Sequence, residues 1–422
     1  MTLPTYITPE TIAATIFGIA VIHTFSTKFF AHLATLQPNH AGFWHLLGEV
    51  EVVFGFWSLV MVVALLLLTG RHETVHYVES RNFTEPMFVF VIMVISASKP
   101  ILNSVIGAVH AIASLIPVRR ELSVFFLCMS LVPLLGSLIT EPAAMTLAAL
   151  MLKDCYFRRE LSTELKYATL GSLFVNVSIG GTLTSFAAPP VLMVAQKWGW
   201  DSAFVFTHFG WKATLAVFAT AFIVTFRFRS ELLDKGCFDG ACSKIDTPKS
   251  VALVHMIFLA SVVVFAHHAA IFMGLFLFFL GYTEAYSKYQ DRLILREGLM
   301  VAFFLGGLVV LGGLQSWWLQ SALTGVEPKV LYYLATALTA ITDNAALTYL
   351  ASLVEGVSPA YQYAVVAGAV TGGGLTIIAN APNPAGVAIL KTHFTDETIS
   401  PTALLLSATP PTLLAILAFQ LL

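Results

Sequence analysis

Ten runs of apolar residues dominate the chain, at about 10–31, 50–69, 85–114, 167–196, 210–228, 250–266, 269–286, 298–323, 360–390 and 401–421. Each approaches the ~20 residues with which a helix crosses the hydrocarbon core of a bilayer. No water is available there to satisfy the backbone, so runs of this kind must fold as helices. Only 11% of the residues are charged and 57% are hydrophobic, whereas soluble domains carry about 25% charge. The chain reads as an all-α polytopic membrane protein with the lipid bilayer as its surroundings. A formal net charge of −2 gives no support for a nucleic-acid partner. The first basic residue is Lys28, so the first run lacks the basic start of a signal peptide and is expected to stay as a span.

Two further apolar segments, 121–152 and 328–354, are too long for one crossing, and each is broken centrally by a polar knot. The knots are twins: Thr140-Glu141-Pro142-Ala143-Ala144-Met145-Thr146 and Thr342-Asp343-Asn344-Ala345-Ala346-Leu347-Thr348, close to half a chain apart. Both segments are expected to be re-entrant hairpins. Basic residues favour the cytoplasmic side of a membrane protein, and they test this topology. With hairpins and an outside N-terminus, sixteen of the 22 basic residues fall in the cytoplasm. Five (Arg71, Arg81, Lys197, Lys212, Lys329) fall outside, and Lys99 lies within a span. Reading either segment as a full crossing inverts everything after it and spoils the bias.

The broken spans form a second matched pair. Gly180-Gly181-Thr182-Leu183-Thr184 through Pro189-Pro190 aligns with Gly372-Gly373-Gly374-Leu375-Thr376 through Asn380-Ala381-Pro382. Glycine destabilises a helix interior and proline removes a hydrogen bond from it. Non-helical backbone at membrane depth persists only inside protein or along a cavity. The expected architecture is two inverted repeats, 1–228 and 250–422, joined by a cytoplasmic linker at 229–249. Each repeat holds five transmembrane helices and one re-entrant hairpin, with 167–196 and 360–390 as the broken helices. Short amphipathic connectors are expected at 71–84 and 287–297, and both chain termini outside.

Ionisable residues at membrane depth mark functional sites, and paired interruptions in two halves point to a transporter's binding site. Asp343 and Glu141 open the second limbs of the hairpins, where free N–H groups favour negative charge. One reading makes both acids N-caps. The other makes them an exchange site: burial disfavours the charged form of any carboxyl group, so a buried carboxylate can trade a cation for a proton. Thr140, Thr342, Asn344, Thr184, Thr376, Asn380 and Asn383 are candidates to complete an oxygen shell for a hard monovalent cation such as Na+, with no other metal. The second half, richer in asparagine, is expected to bear the tighter ion contacts, and Glu141 to act as proton or charge-balancing partner. Lys99 shares a helix face with Asn103 and His110. It reads either as a counter-ion to the acids or as a structural ion pair or snorkelling lysine, and His110 as a packing residue. Cys237 and Cys242 have a spacing that could bind a metal only with further ligands. No hydrolase, zincin or phosphate-loop motif is present, so neither an enzyme nor a cofactor is expected.

These features together resemble the ion transporter superfamily, which includes arsenite permeases, divalent-anion/sodium symporters and sodium/proton antiporters. The stretches Thr342-Asp343-Asn344-Ala345-Ala346 and Gly372 to Pro384 are similar to a bacterial sodium/proton antiporter family. The resemblance implies a scaffold and a mobile transport domain, elevator-type movement, and a homodimer in the inner membrane. It implies secondary active Na+(Li+)/H+ antiport. Carboxylate symporters of the superfamily carry Ser-Asn-Thr at both tips, from which Thr140-Glu141-Pro142 and Thr342-Asp343-Asn344 depart. The alternative is an ion-coupled transporter of a small anionic or organic solute, a dicarboxylate or oxyanion, received by Lys99 and the half-helix N-termini.

Overall fold

The computed structural model describes residues 8–235 and 247–422; Cys237 and Cys242 lie outside them. Among the described residues the regular elements are all helices. Four helices are each long and apolar enough to cross a membrane: Glu51–Glu79, Ser202–Arg227, Leu295–Gly312 and Pro401–Leu421. Two bent pairs meet the same criterion jointly. Thr84–Ser96 and Lys99–Leu115 meet at 64°, and Arg120–Met129 and Leu131–Ile139 at 41°. Pro9–Phe25, Lys249–Val264 and Ala269–Ala285 are apolar but shorter.

Several expected spans are thus divided, each for a local reason. The run 85–114 breaks at Ala97-Ser98, where Ser98 is extended and Pro100 occupies the first turn of a new helix, a position that tolerates its missing N–H. The first run ends at Phe25, and a separate helix, Thr27–Leu36, follows Ser26. The second run does not stop for a connector but continues to Glu79 through a kink at Gly70, whose φ of 82° and ψ of 174° suit glycine alone. The run 298–323 stops at Gly312 and resumes at Ser316. The bend in the first hairpin has a proline beside it. Pro133 cannot donate to Met129 four residues back, and the freed carbonyl of Met129 accepts from Asn176 Nδ2 at 2.7 Å.

The chain forms two compact units, and each draws on both halves of the sequence. One comprises Met1–Phe90, Leu295–Val326 and Tyr349–Ser358; the other comprises Val91–Ile294, Glu327–Thr348 and Pro359–Leu422. In the first, the helix through Val53 and Met61 packs on Leu295–Gly312, with Phe54 edge-on to Phe304 at 5.3 Å. In the second, Thr163–Gly180 packs against Pro401–Leu421, Trp211–Arg227 and Leu131–Ile139. Its residues from Thr169 to Gly180 are all buried, polar ones included. Pro328–Thr339 packs along Pro359–Gly372.

Candidate functional site

Both hairpin tips and both helix breaks fall in the second unit. The first broken helix runs Thr163–Gly180, passes through a short turn at Gly181–Leu183, and resumes at Pro189–Trp198. The second runs Pro359–Gly372 and resumes only at Asn383–Leu390. In each, glycines end the helix and prolines restart it: Pro189 and Pro190 fill the first turn of one continuation, and Pro382 caps the other. The two cross at close range, since a Cβ on Gly374 would overlap the backbone of Val175. At that crossing Ser178 Oγ donates to the carbonyl of Val370 at 2.7 Å.

Unwinding leaves backbone groups that need partners, and buried side chains supply several. Ser137 Oγ donates to Gly180 O at 2.7 Å and accepts from the N–H of Leu183 at 2.9 Å. Asn383 Nδ2 donates to the carbonyls of Gly373 and Thr376, both at 2.8 Å. The matched threonines make matched bonds. Thr184 Oγ1 donates to Ser137 O at 2.7 Å, and Thr376 Oγ1 to Ala340 O at 2.8 Å. Each hydroxyl thereby ties its break to the end of the first limb of its own half's hairpin.

The two acids are used differently. At the second tip the helix begins at Asn344, and Asp343 Oδ1 accepts from the N–H groups of Ala345 and Ala346 at 2.9 and 3.0 Å. Asp343 is half-buried and caps the helix. At the first tip Glu141 is itself the first helical residue, and Thr140 takes the cap position without a side-chain cap bond. The Glu141 carboxyl is fully buried. Its Oε2 accepts from Asn380 Nδ2 at 2.8 Å, and its Oε1 has no hydrogen-bond partner. Gly181 makes room for it, because a Cβ there would collide with the Glu141 side chain.

The second half brings Asn380 to this carboxyl, and two further carboxamides, Asn344 and Asn383, lie on backbone bonded to the segment of Asn380. Asn344, Asn380 and Asn383 are buried to within 1% of full cover. The Asn344 N–H donates to Ala379 O at 3.1 Å, which ties the second tip to the residue before Asn380. Asn344 Nδ2 and Ser178 Oγ flank Gly373, whose carbonyl Asn383 holds. Three side-chain oxygens, on Asn344, Asn380 and Asn383, lack hydrogen-bond partners, as does Asn344 Nδ2. Orphaned buried polar atoms cost roughly 1–3 kcal/mol each, and such clusters call for an explanation. A carboxylate with carboxamide oxygens is the donor set preferred by hard cations. Among the described residues no group of three His, Cys, Asp or Glu could hold a resident metal.

Thr140 adds strain to the first tip. Its φ of 73° and ψ of 151° lie in a region that is essentially glycine's, at a cost of order 1–3 kcal/mol. Its hydroxyl lies 3.3 Å from Ser96 Oγ, at the break of the 85–114 run. Thr342 is half-buried, and its N–H reaches Thr339 O at 3.4 Å. Lys99 is not brought to either acid. Its Nζ pairs with Asp291 at 3.1 Å and its side chain is 35% exposed. The break at Ala97-Ser98 places Lys99 at the start of the second helix of that bent pair. Asn103 bonds Thr247 at 3.0 Å, and His110 Nδ1 is buried without a partner.

Four contributors went unread in the sequence: Asn176, Ser178, Ser137 and Ser96. Asn176 and Ser178 carried a signal, being polar residues just before Gly180 within an apolar run. Ser96 carried a weaker one, next to the Lys99-Pro100 pair. Ser137 carried none.

No curated protein matches the chain. The family described as "Putative Na+/H+ antiporter" matches residues 8–422, nearly the whole length, and the chain belongs to that family.

Proposed function

We propose that the protein is a secondary active transporter exchanging Na+ or Li+ for H+, with Glu141 as the group that proton and cation share. The observation that carries this reading is the buried Glu141 carboxyl. It has one donor, Asn380, and one free oxygen, and unpartnered carboxamide oxygens lie on Asn380 itself and on Asn344 and Asn383, whose backbone is bonded to Asn380's segment. An isolated buried carboxylate is far too costly to persist uncompensated. A proton on Glu141 removes the charge, and a cation ligated by Glu141 and the carboxamides balances it. The two loads exclude each other and the empty charged site is disfavoured, which is the logic of antiport. Asp343 shapes the second tip through its cap, and Asn344 fastens that tip to the second break.

The family supports the cation/proton pair, and the gathering of tips and breaks in one compact unit supports an elevator in which that unit moves. In this reading the other unit is the scaffold of a homodimer. The halves 1–228 and 250–422 are inverted repeats around a cytoplasmic linker at 229–249. In the same reading the membrane is an inner one, and the charge bias supports both termini lying outside it. An anion carrier would need a cation at the tips; Lys99 pairs with Asp291 instead.

The test is reconstitution into liposomes carrying an internal pH dye. Addition of Na+ or Li+ is expected to move protons, and Glu141→Gln to abolish that movement while leaving the protein monodisperse. Absence of cation-dependent proton flux in the unaltered protein, or its survival in Glu141→Gln, overturns the proposal.

A further inference from the structure

Ser96 is the last residue of Thr84–Ser96, at the bend where that helix meets Lys99–Leu115, and it is fully buried. Its Oγ lies 3.2 Å from the carbonyl oxygen of Met93 and 3.3 Å from Thr140 Oγ1. A hydroxyl has one proton to donate. The Met93 carbonyl can only accept, so Ser96 gives its proton there and receives that of Thr140. This bond joins the first hairpin tip to a helix end 44 residues earlier in the chain.

Thr140 uses its side chain in an uncommon way. A threonine at a helix N-cap ordinarily has extended backbone and accepts from an N–H of the first turn. Pro142 has no N–H to offer. Thr140 makes no side-chain cap bond, and its hydroxyl turns to Ser96 instead. Its φ of 73° is strained for threonine and persists only where the surroundings compensate. Thr140 is 3% exposed, so Ser96 and not water takes its proton. A hydrogen bond between buried hydroxyls is of the same order as the strain it accompanies.

The backbone turn at Thr140 sets how Glu141, the next residue, enters its helix. The Glu141 carboxyl reaches Asn380 at 2.8 Å through space that a side chain at Gly181 would fill. So narrow a slot admits little displacement, and functional groups of this kind depend on neighbours that fix their geometry. The second tip is the contrast: Thr342 has no positive φ, and its acid caps the helix.

We propose that Ser96 is a positioning residue for Glu141. By accepting from Thr140 it offsets the strain at the tip and keeps the carboxyl aligned with Asn380 and open to the cation. The role rests on the reading of Glu141 as the exchanged group.

Proton flux into liposomes is measured against Na+ concentration for the unaltered protein, for Ser96→Ala, and for Thr140→Val, which keeps the branched side chain and removes its proton. Both variants are expected to raise the Na+ concentration for half-maximal flux at least threefold, with a smaller change in flux at saturating Na+. A hydroxyl that only stabilised the fold would lower the melting temperature and leave that concentration in place. In Thr140→Gly, whose backbone needs no compensation, adding Ser96→Ala is expected to change it less than twofold. The infrared band of the Glu141 carboxyl, identified by its loss in Glu141→Gln, is expected to shift in Ser96→Ala in detergent. A rise below threefold in either variant, or an equal rise from Ser96→Ala in the glycine background, overturns the proposal. Absence of Na+-dependent flux in the unaltered protein sinks the antiport reading separately. The band then decides, and a band unmoved by Ser96→Ala overturns the role of Ser96.

Discussion

The two hairpin tips share the pattern Thr-acid-x-Ala-Ala-x-Thr and put it to different uses. The helix at the second tip begins one residue later relative to the acid, so Asp343 falls at the cap and reaches the N–H groups two and three residues on. A short side chain is suited to that task. At the first tip Glu141 lies inside the helix, one methylene longer, with its carboxyl turned to Asn380. A one-residue difference in helix start separates an acid that caps the helix from one whose buried carboxyl meets Asn380. The carboxylate thus comes from the first half and the carboxamides from the second.

The largest expected effect is the contrast between the two acids. Glu141→Gln should lower cation-driven proton flux in liposomes by at least 100-fold, since an amide cannot carry the exchanged proton or balance the cation's charge. Asp343→Asn should lower it by less than tenfold, because asparagine caps about as well as aspartate. Equal losses in the two variants would break the distinction and make the tips a joint site.

Next comes the partner of Glu141. Asn380→Ala removes the one hydrogen bond to a buried carboxyl, and an unpaired buried group costs roughly 1–3 kcal/mol; a flux loss of about 10- to 100-fold is expected. Asn383→Ala instead releases the carbonyls of Gly373 and Thr376. It should lower thermal stability of the purified protein more than Asn380→Ala does. Should Asn380→Ala prove the less stable of the two with flux intact, Asn380 is structural.

Much of this arrangement was legible in the residues. Matched glycines and prolines located both breaks, and the charge inside two apolar segments located both tips, because polar atoms at membrane depth are rare enough to stand out. Bends were less legible. The breaks at Ala97-Ser98 and Ser130 involve serine and a nearby proline, which apolar helices also tolerate, so hydropathy ran straight through them. Lys99 shows the consequence: a lysine in an apolar run looks buried, yet at the bend its side chain is 35% exposed and paired with Asp291. The different fates of Glu141 and Asp343 depend on where a helix starts to within one residue, and no periodicity resolves that.

Backbone strain offers a smaller contrast between the tips. Thr140 has a positive φ and Thr342 does not. Thr140→Gly should leave thermal stability unchanged or raised, as relief of the strain offsets loss of the contact with Ser96. Thr342→Gly, with no strain to relieve, should lower stability by about 1 kcal/mol through the freedom glycine gives the unfolded chain. A drop of equal size in both, measured as a melting shift in detergent, would show that the strained tip is held by its threonine side chain.

The smallest effect is expected where the two halves are most alike, at the helix breaks. Thr184 and Thr376 each donate one hydroxyl proton to a carbonyl at the end of a hairpin's first limb. Valine keeps the shape and removes the donor, at about 1 kcal/mol per bond. Thr184→Val and Thr376→Val should therefore lower the melting temperature by similar amounts and leave the cation concentration for half-maximal flux nearly unchanged. A hydroxyl that donates to a carbonyl still has lone pairs to offer, and those of Thr376 adjoin the half that supplies the asparagines. A loss of Na+ affinity confined to Thr376→Val would assign those lone pairs to the cation, and the asymmetry between the halves would then extend from the acids to the hydroxyls.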